Sequence, residues 1–142
     1  GDSDPLYRGG SYQFVQKYIH DMTAWNALPV SEQEKVIGRS KHDDIEMSED
    51  EKPTNSHSAI ANIGDDFKVI RDNMPFGTVG NNELGTYFIC YASTFSTVRK
   101  MLMNMFTGVD GANYDRLLDF STAVTGTLFF VPPVDMLGDF AG

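Results

Sequence analysis

From Leu84 to Ser93 the chain is nearly continuous in apolar residues, and directly after it the hydrophobic period changes. The run is rich in aromatic and β-branched side chains, which suit a pleated surface, so it predicts a strand. In the segment that follows, Phe95, Val98, Leu102, Met105 and Phe106 fall on one helical face. Thr94 stands at the N-cap position and Gly108 at the stop, which predicts one amphipathic helix between them. A strand feeding such a helix commits this part of the chain to a helix packed on a sheet.

The other elements follow the same rules. Ser11–His20 reads as a first strand. Asp21 or Thr23 can cap a short helix that Pro29 ends, and a second helical segment runs from Ser31 to Ile37. Ser31 and Glu34 have capping-box spacing there, and Gly38 is a natural stop with Arg39 just beyond it. Phe67–Arg71 reads as a short strand, Met74–Asn82 as a wide connection full of turn formers, and Asn113–Phe120 as a short helical turn. Thr125–Val131 reads as a last strand, stopped by Pro132-Pro133. The order strand, helix, strand, strand, helix, strand predicts an α+β fold of the ferredoxin-like, split βαβ kind with an antiparallel sheet.

With 142 residues the chain is one ordinary domain, able to build a core without disulfide or metal staples. Its formal charge of −9, from 11 basic and 20 acidic residues, lacks the cationic footprint that nucleic acid or an anionic membrane requires. No apolar run reaches the length of a membrane span, and the first residues do not form a secretory signal. Without an initiating Met, the chain reads as a piece of a longer protein or as one trimmed of a tag. Cys90 is the only cysteine, so an intrachain disulfide is impossible; a buried inert thiol and a reducing, cytoplasmic setting are expected.

Few single residues point to chemistry. Lys41–Lys52 is strongly acidic and reads as a solvated loop, because it lacks the alternating oxygens and bend glycine of a calcium site. The methionines of the 95–106 helix have core spacing rather than the look of a soft-metal surface. His57 ends the acidic loop at Pro53-Thr54-Asn55-Ser56-His57, with Arg71 and Asn73 soon after it. An imidazole so placed can be a metal or haem ligand facing a polar group, although a lone His is more often structural. Judged one at a time, Arg71, Arg39 and Phe88 also read as an exposed strand residue, a charge near a helix end and plain core.

Taken in order, Gly10-Ser11-Tyr12, Val36-Ile37-Gly38-Arg39, Ser56-His57, Ile70-Arg71-Asp72-Asn73-Met74-Pro75-Phe76-Gly77, Gly85-Thr86-Tyr87-Phe88-Ile89 and Thr125-Gly126-Thr127-Leu128-Phe129-Phe130-Val131-Pro132 closely resemble the C-terminal half of bacterial dye-decolorising peroxidases. The resemblance covers nearly the whole chain. It implies that residues 1–142 are the C-terminal ferredoxin-like, haem-binding domain of a two-domain peroxidase. Haem b is the implied cofactor and His57 its iron ligand. Arg71 and Asn73 are implied on the distal side, Arg39 beside a haem propionate and Phe88 in the pocket wall. The resemblance offers Asp119 as the acid that hydrogen-bonds the ligand imidazole. These types suit the chemistry: an imidazole backed by a carboxylate donates better to iron, residues two apart on a strand share a face, and a guanidinium stabilises charge as a peroxide bond breaks.

One departure matters. The family's distal aspartate lies in a Gly-x-x-Asp-Gly motif that this sequence lacks, and neither Asp2 nor Asp4 matches it. The resemblance therefore implies a parent enzyme that uses hydrogen peroxide to oxidise phenolic or dye-like donors by single-electron steps, with this piece alone a poor catalyst. Trp25, Tyr87 or Tyr91 could relay electrons from bulky donors, and exposed sheet edges favour a homo-oligomer. Two other readings are a haem-handling protein with incidental peroxidase activity and a cofactor-free interaction module.

Overall fold

In the computed structural model, which describes residues 4–64, 66–77, 80 and 83–138, five strands form one antiparallel sheet. The strands are β1 (Ser11–His20), β2 (Val69–Gly77), β3 (Leu84–Ala92), β4 (Ser121–Ala123) and β5 (Thr127–Val131). Their order is β2-β3-β1-β4, and β5 pairs with β1 beside β4. β4 takes the Tyr18–His20 end of β1 and β5 the Ser11–Val15 end. The last strand of a ferredoxin-like sheet is thus split in two, and the fold is the α+β antiparallel class expected.

The helices are α1 (Met22–Ala27), α2 (Val30–Ile37), α3 (His57–Ala61), α4 (Phe95–Thr107) and α5 (Val134–Leu137), with a 3₁₀ turn at Arg116–Asp119. Asp21 caps α1 by accepting from the Ala24 N–H, as its position suggests. The capping box on α2 does not form. That helix starts one residue earlier, with Pro29 at its N-cap, and Ser31 lies inside the first turn. Proline suits such a start because its φ is already helical and the missing N–H has no partner to lose.

Two further expectations change. β2 does not end at Arg71 but continues through Met74-Pro75-Phe76-Gly77, where a turn was expected. Among the described residues β2 lies at the sheet edge and pairs only with β3, so one side of it needs no donors and Pro75 is tolerated. Thr78, Val79, Asn81 and Asn82 of that expected connection lie outside the described residues. In α4 the buried face is Thr97, Val98, Met101 and Met105, with Phe106 left 43% exposed. The helix is wedged between the sheet and α3, so its inward stripe is rotated from the one its largest side chains mark.

The core has two parts joined at Phe88. Phe14, Cys90, Ala92 and Val98 pack between sheet and α4, while Ile60, Met101 and Met105 tie α3 to α4. Ile60 and Met101 are essentially sealed from solvent, each contributing about 1.5–3 kcal/mol of burial. Cys90 is also sealed, and burial pushes its thiol above the ordinary value, as expected of an inert residue.

Gly38 links α2 to this arrangement. Its φ of +83° is left-handed, and a Cβ there would run into the side chains of Ser56 and Ser58. Gly38→Ala is expected to cost about 1–3 kcal/mol through that strained backbone alone, with further loss from displaced Ser56. Chemical denaturation of the two chains checks this; an unchanged midpoint would mean the serines give way freely.

Candidate functional site

α3 is only five residues long and is held by tertiary contacts rather than by its own propensity. Ser56, fully buried, caps it by accepting from the Ala59 N–H, which sets His57 at the first helical position. Ile60 and Ala61 on the next turn anchor the helix in the core. The His57 ring therefore leaves a fixed base, half-buried, at the edge of the interior.

Its partner is Asp115. The Nδ1 of His57 donates to Asp115 Oδ2 at 2.7 Å, and the carboxylate has no solvent exposure. Asp115 Oδ1 accepts from the Leu117 N–H at 2.9 Å. The Asp115 N–H donates to Met105 O and the Arg116 N–H to Asn55 O, which clips this segment to the end of α4 and to the approach of α3. A carboxylate only accepts, so Nδ1 carries a proton, and in the neutral form of the ring Nε2 keeps a lone pair. Among the described residues Nε2 has no hydrogen-bond partner. An imidazole fixed in this tautomer is ready to ligate a metal.

Two cavities meet at that ring, of about 1110 and 520 Å³. Ile37, His57, Ala61, Arg71 and Met101 line both. The sheet register explains the opposite wall: Arg71 is paired with Cys90 and Asn73 with Phe88, while Phe88 faces Gln16 across β1. Directly opposed residues share a face, so Arg71, Asn73 and Phe88 are all on the side of the sheet that α3 and α4 cover. Arg71 Nη1 lies 3.5 Å from Ala61 O and 3.6 Å from Met101 Sδ, leaving most of its donors free toward the cavity. Asn73 and Phe88 line the smaller cavity.

Arg39 lines the larger cavity but is engaged by its own loop. It pairs with Asp44 Oδ1 at 2.7 Å and Glu46 Oε2 at 3.5 Å, and Lys52 ties Glu46 and Glu49 to the same loop. The acidic segment is pinned at these points rather than loose. Asp119 is the site expectation that the geometry corrects. Its carboxylate accepts from the Tyr114 hydroxyl at 2.8 Å, on the surface, and Asp115 is the acid on His57. The 3₁₀ turn puts its N-capping residue inward and its last residue outward. The signal was present in Asp115-Arg116-Leu117-Leu118, where the acid that precedes an apolar pair caps the turn.

Two more residues of the smaller cavity were not singled out from sequence. Tyr18 is 7% exposed and donates to Gln16 Oε1; burial, with the Asp115 charge, holds its phenol proton far above the ordinary range. His20 bridges Ser121 Oγ at 2.8 Å and Thr86 Oγ1 at 3.2 Å, and burial lowers its pKa. The unfolded chain therefore binds a proton more readily than the folded one, so stability falls as pH drops through the ordinary histidine range toward the lowered folded value. Denaturation midpoints between pH 7.5 and pH 5 should fall less in His20→Gln than in the wild-type chain, starting near the ordinary pKa of about 6.5. Equal slopes would exclude His20 as the source.

Among the described residues no helix is long and apolar enough to cross a membrane. The sequence profile described as Dyp-type peroxidase, C-terminal, matches residues 1–136. A dye-decolorizing peroxidase of Rhodococcus erythropolis is 57% identical over 143 aligned residues, covering 98% of this chain and 42% of the relative. The crystal structure of a dye-decolorizing peroxidase from Bacteroides thetaiotaomicron is 64% identical with a TM-score of 0.94, covering 100% of this chain and 46% of that one. A DypB variant from Rhodococcus jostii, solved in complex with heme, is 55% identical with a TM-score of 0.89, over 96% of this chain and 46% of that one. The chain thus spans less than half the length of these proteins. A profile match over nearly the whole chain, on the same fold, makes it a member of the family of Dyp-type peroxidase C-terminal domains.

Proposed function

We propose that this chain is the haem-binding C-terminal domain, residues 1–142, of a longer peroxidase that uses hydrogen peroxide to oxidise phenolic or dye-like donors in single-electron steps. The observation that carries the reading is the His57 imidazole, held by buried Asp115 with Nε2 free in the cavity that Arg71 and Asn73 share. Among the described residues no group of three or more His, Cys, Asp or Glu is placed to hold a metal. A metal at His57 must then bring most of its ligands with it, as a porphyrin does. The apolar walls from Ile37, Ala61 and Met101 suit a flat macrocycle.

Haem b, when bound, supplies the redox centre that takes oxidising equivalents from peroxide and passes them on singly. His57 would hold the iron through Nε2, and Asp115 would make that nitrogen more electron-donating by accepting from Nδ1. Arg71 offers fixed positive charge where peroxide gains negative charge, and Asn73 orients it by hydrogen bonding. Arg39, which lines the larger cavity and pairs with Asp44 and Glu46, would be the residue to meet a haem propionate, and Phe88 would wall the pocket. The free fragment lacks the family's Gly-x-x-Asp-Gly motif, so turnover belongs to the longer protein. We place that protein in the cytoplasm as a homo-oligomer, on the lone buried cysteine and the sheet edge at β2.

The test is peroxide-dependent oxidation of a simple phenol by the haem-loaded full-length protein. Turnover favours the enzyme, whereas tight haem binding with negligible turnover favours a haem carrier. Arg71→Ala is expected to keep haem but slow the reaction with peroxide about 10²–10³-fold, the loss usual for one preorganised charge-stabilising group. Stopped-flow spectra after mixing with peroxide measure that step, and an unchanged rate would take Arg71 out of it.

A further inference from the structure

Arg39 lines the larger cavity, yet all three nitrogens of its guanidinium are engaged by the loop that follows it. Nε donates to Asp44 Oδ1 at 2.7 Å, Nη2 donates to the Asp44 carbonyl oxygen, and Nη1 lies 3.5 Å from Glu46 Oε2. The Nε–Nη2 edge is the fork with which an arginine grips a carboxylate through two parallel hydrogen bonds. Here Asp44 fills that fork from within the chain.

From this arrangement we infer that residues 40–47 are a latch on cofactor entry: Asp44 holds the Arg39 fork in the haem-free protein and gives it up only to a porphyrin carboxylate. The inference rests on the haem-binding reading above and adds to it a state of the protein that competes with haem. The same guanidinium cannot serve both partners at once.

The loop is built to hold the contact. The Ser40 N–H donates to Ile45 O at 2.8 Å, the Met47 N–H to Gly38 O at 3.0 Å, and the Ile45 N–H to Ser40 Oγ at 3.0 Å. Among the described residues Asp44 alone, apart from glycines, has a positive φ, at +52°. Aspartate tolerates that conformation better than most residues, but it persists only where the surroundings enforce it, and such residues gather at switches. The Asp44 side chain is 83% exposed, so Arg39 is its main restraint. Loss of that contact frees the loop to relax.

The latch also opens without leaving a buried charge behind. Glu46 has a second cation in Lys52, whose Nζ lies 2.9 Å from Glu46 and 2.7 Å from Glu49, and whose side chain is only 7% exposed. Hydrogen bonding to Lys52 is the largest cause that holds the Glu46 carboxyl below its ordinary value, and Arg39 is the smallest. Once Arg39 meets another carboxylate, Asp44 stands in water and Glu46 stays on Lys52. Neither acid is buried without a partner, which is the condition that would make the exchange costly. A porphyrin with no free carboxylate cannot compete for the fork, and for it the latch stays closed.

The test uses the full-length protein freed of haem and titrated with hemin. Asp44→Asn keeps a residue that tolerates positive φ and removes the charge. A competing closed state weakens apparent affinity by its population, so this variant is expected to bind hemin about two- to fivefold more tightly, the worth of an exposed ion pair. Asp50→Asn makes the same charge change at an exposed position that has no ion pair among the described residues, and is expected to match wild type. Hemin dimethyl ester, whose carboxylates are masked, is expected to bind wild type and Asp44→Asn alike. Amide exchange in residues 40–47, read by mass spectrometry, is expected to quicken when hemin saturates the wild-type protein and to be already quick in haem-free Asp44→Asn. Equal hemin affinities for wild type and Asp44→Asn, an equal gain in Asp50→Asn or with the ester, or exchange in 40–47 that hemin leaves unchanged overturns the latch and leaves the haem site standing. A wild-type protein that does not bind hemin overturns both.

Discussion

Hemin added to the His57→Ala chain is expected to give no saturable Soret shift under conditions in which the wild-type chain titrates to saturation. Among the described residues the ring is the one nitrogen ligand that combines a held Nδ1–H with access to both cavities. Removing merely the group behind a metal ligand commonly costs 10–100-fold in affinity, so loss of the ligand itself should cost at least about 100-fold. The full-length protein titrated in parallel separates two outcomes. If only that protein shows the shift, His57 keeps its role and this domain carries part of the site. If neither does, or if the variant retains an unchanged haem spectrum, the ligand assignment falls.

Asp115→Ala should be the most damaging single change to stability among the site residues. It removes the acceptor of two donors, the Leu117 N–H and the His57 Nδ1–H, at a position with no solvent exposure. Each buried donor left unpaired costs about 1–3 kcal/mol, so about 3 kcal/mol of folding free energy is expected to go, read from chemical denaturation. Haem affinity should drop as well, about 10–100-fold, because the imidazole loses both its orientation and its electron-donating partner. Asp115→Asn retains an accepting oxygen and is expected to restore much of the stability while leaving haem binding weakened. A loss below about 1 kcal/mol in the Ala variant would mean that water or a rotated side chain satisfies the two donors. Asp119→Ala, by contrast, touches only the exposed Tyr114 hydroxyl and should leave both measurements close to wild type.

The contrast between these two acids shows how far a single chain can be read. Asp115 and Asp119 lie four residues apart in one segment, and both precede or follow apolar neighbours. Choosing between them requires knowing which end of the Arg116–Asp119 turn meets α3, a contact across 58 residues of sequence. Arg71 and Asn73 presented an easier problem, since their alternation on a strand puts both on one face whatever the sheet does around them.

Local sequence determined what depends on neighbours along the chain: β1, β3 and α4 from their periods, the α2 stop at Gly38 from its left-handed φ, and the inert Cys90 from its apolar run. The tertiary structure alone decided which face of α4 is buried, that Pro75 sits within an edge strand, that the last strand divides into β4 and β5, and that Asp115 rather than Asp119 holds His57. The physical reason is common to all four. Propensity and capping act within a turn or two, whereas burial, edge position and long-range hydrogen bonds exist only once distant segments have met.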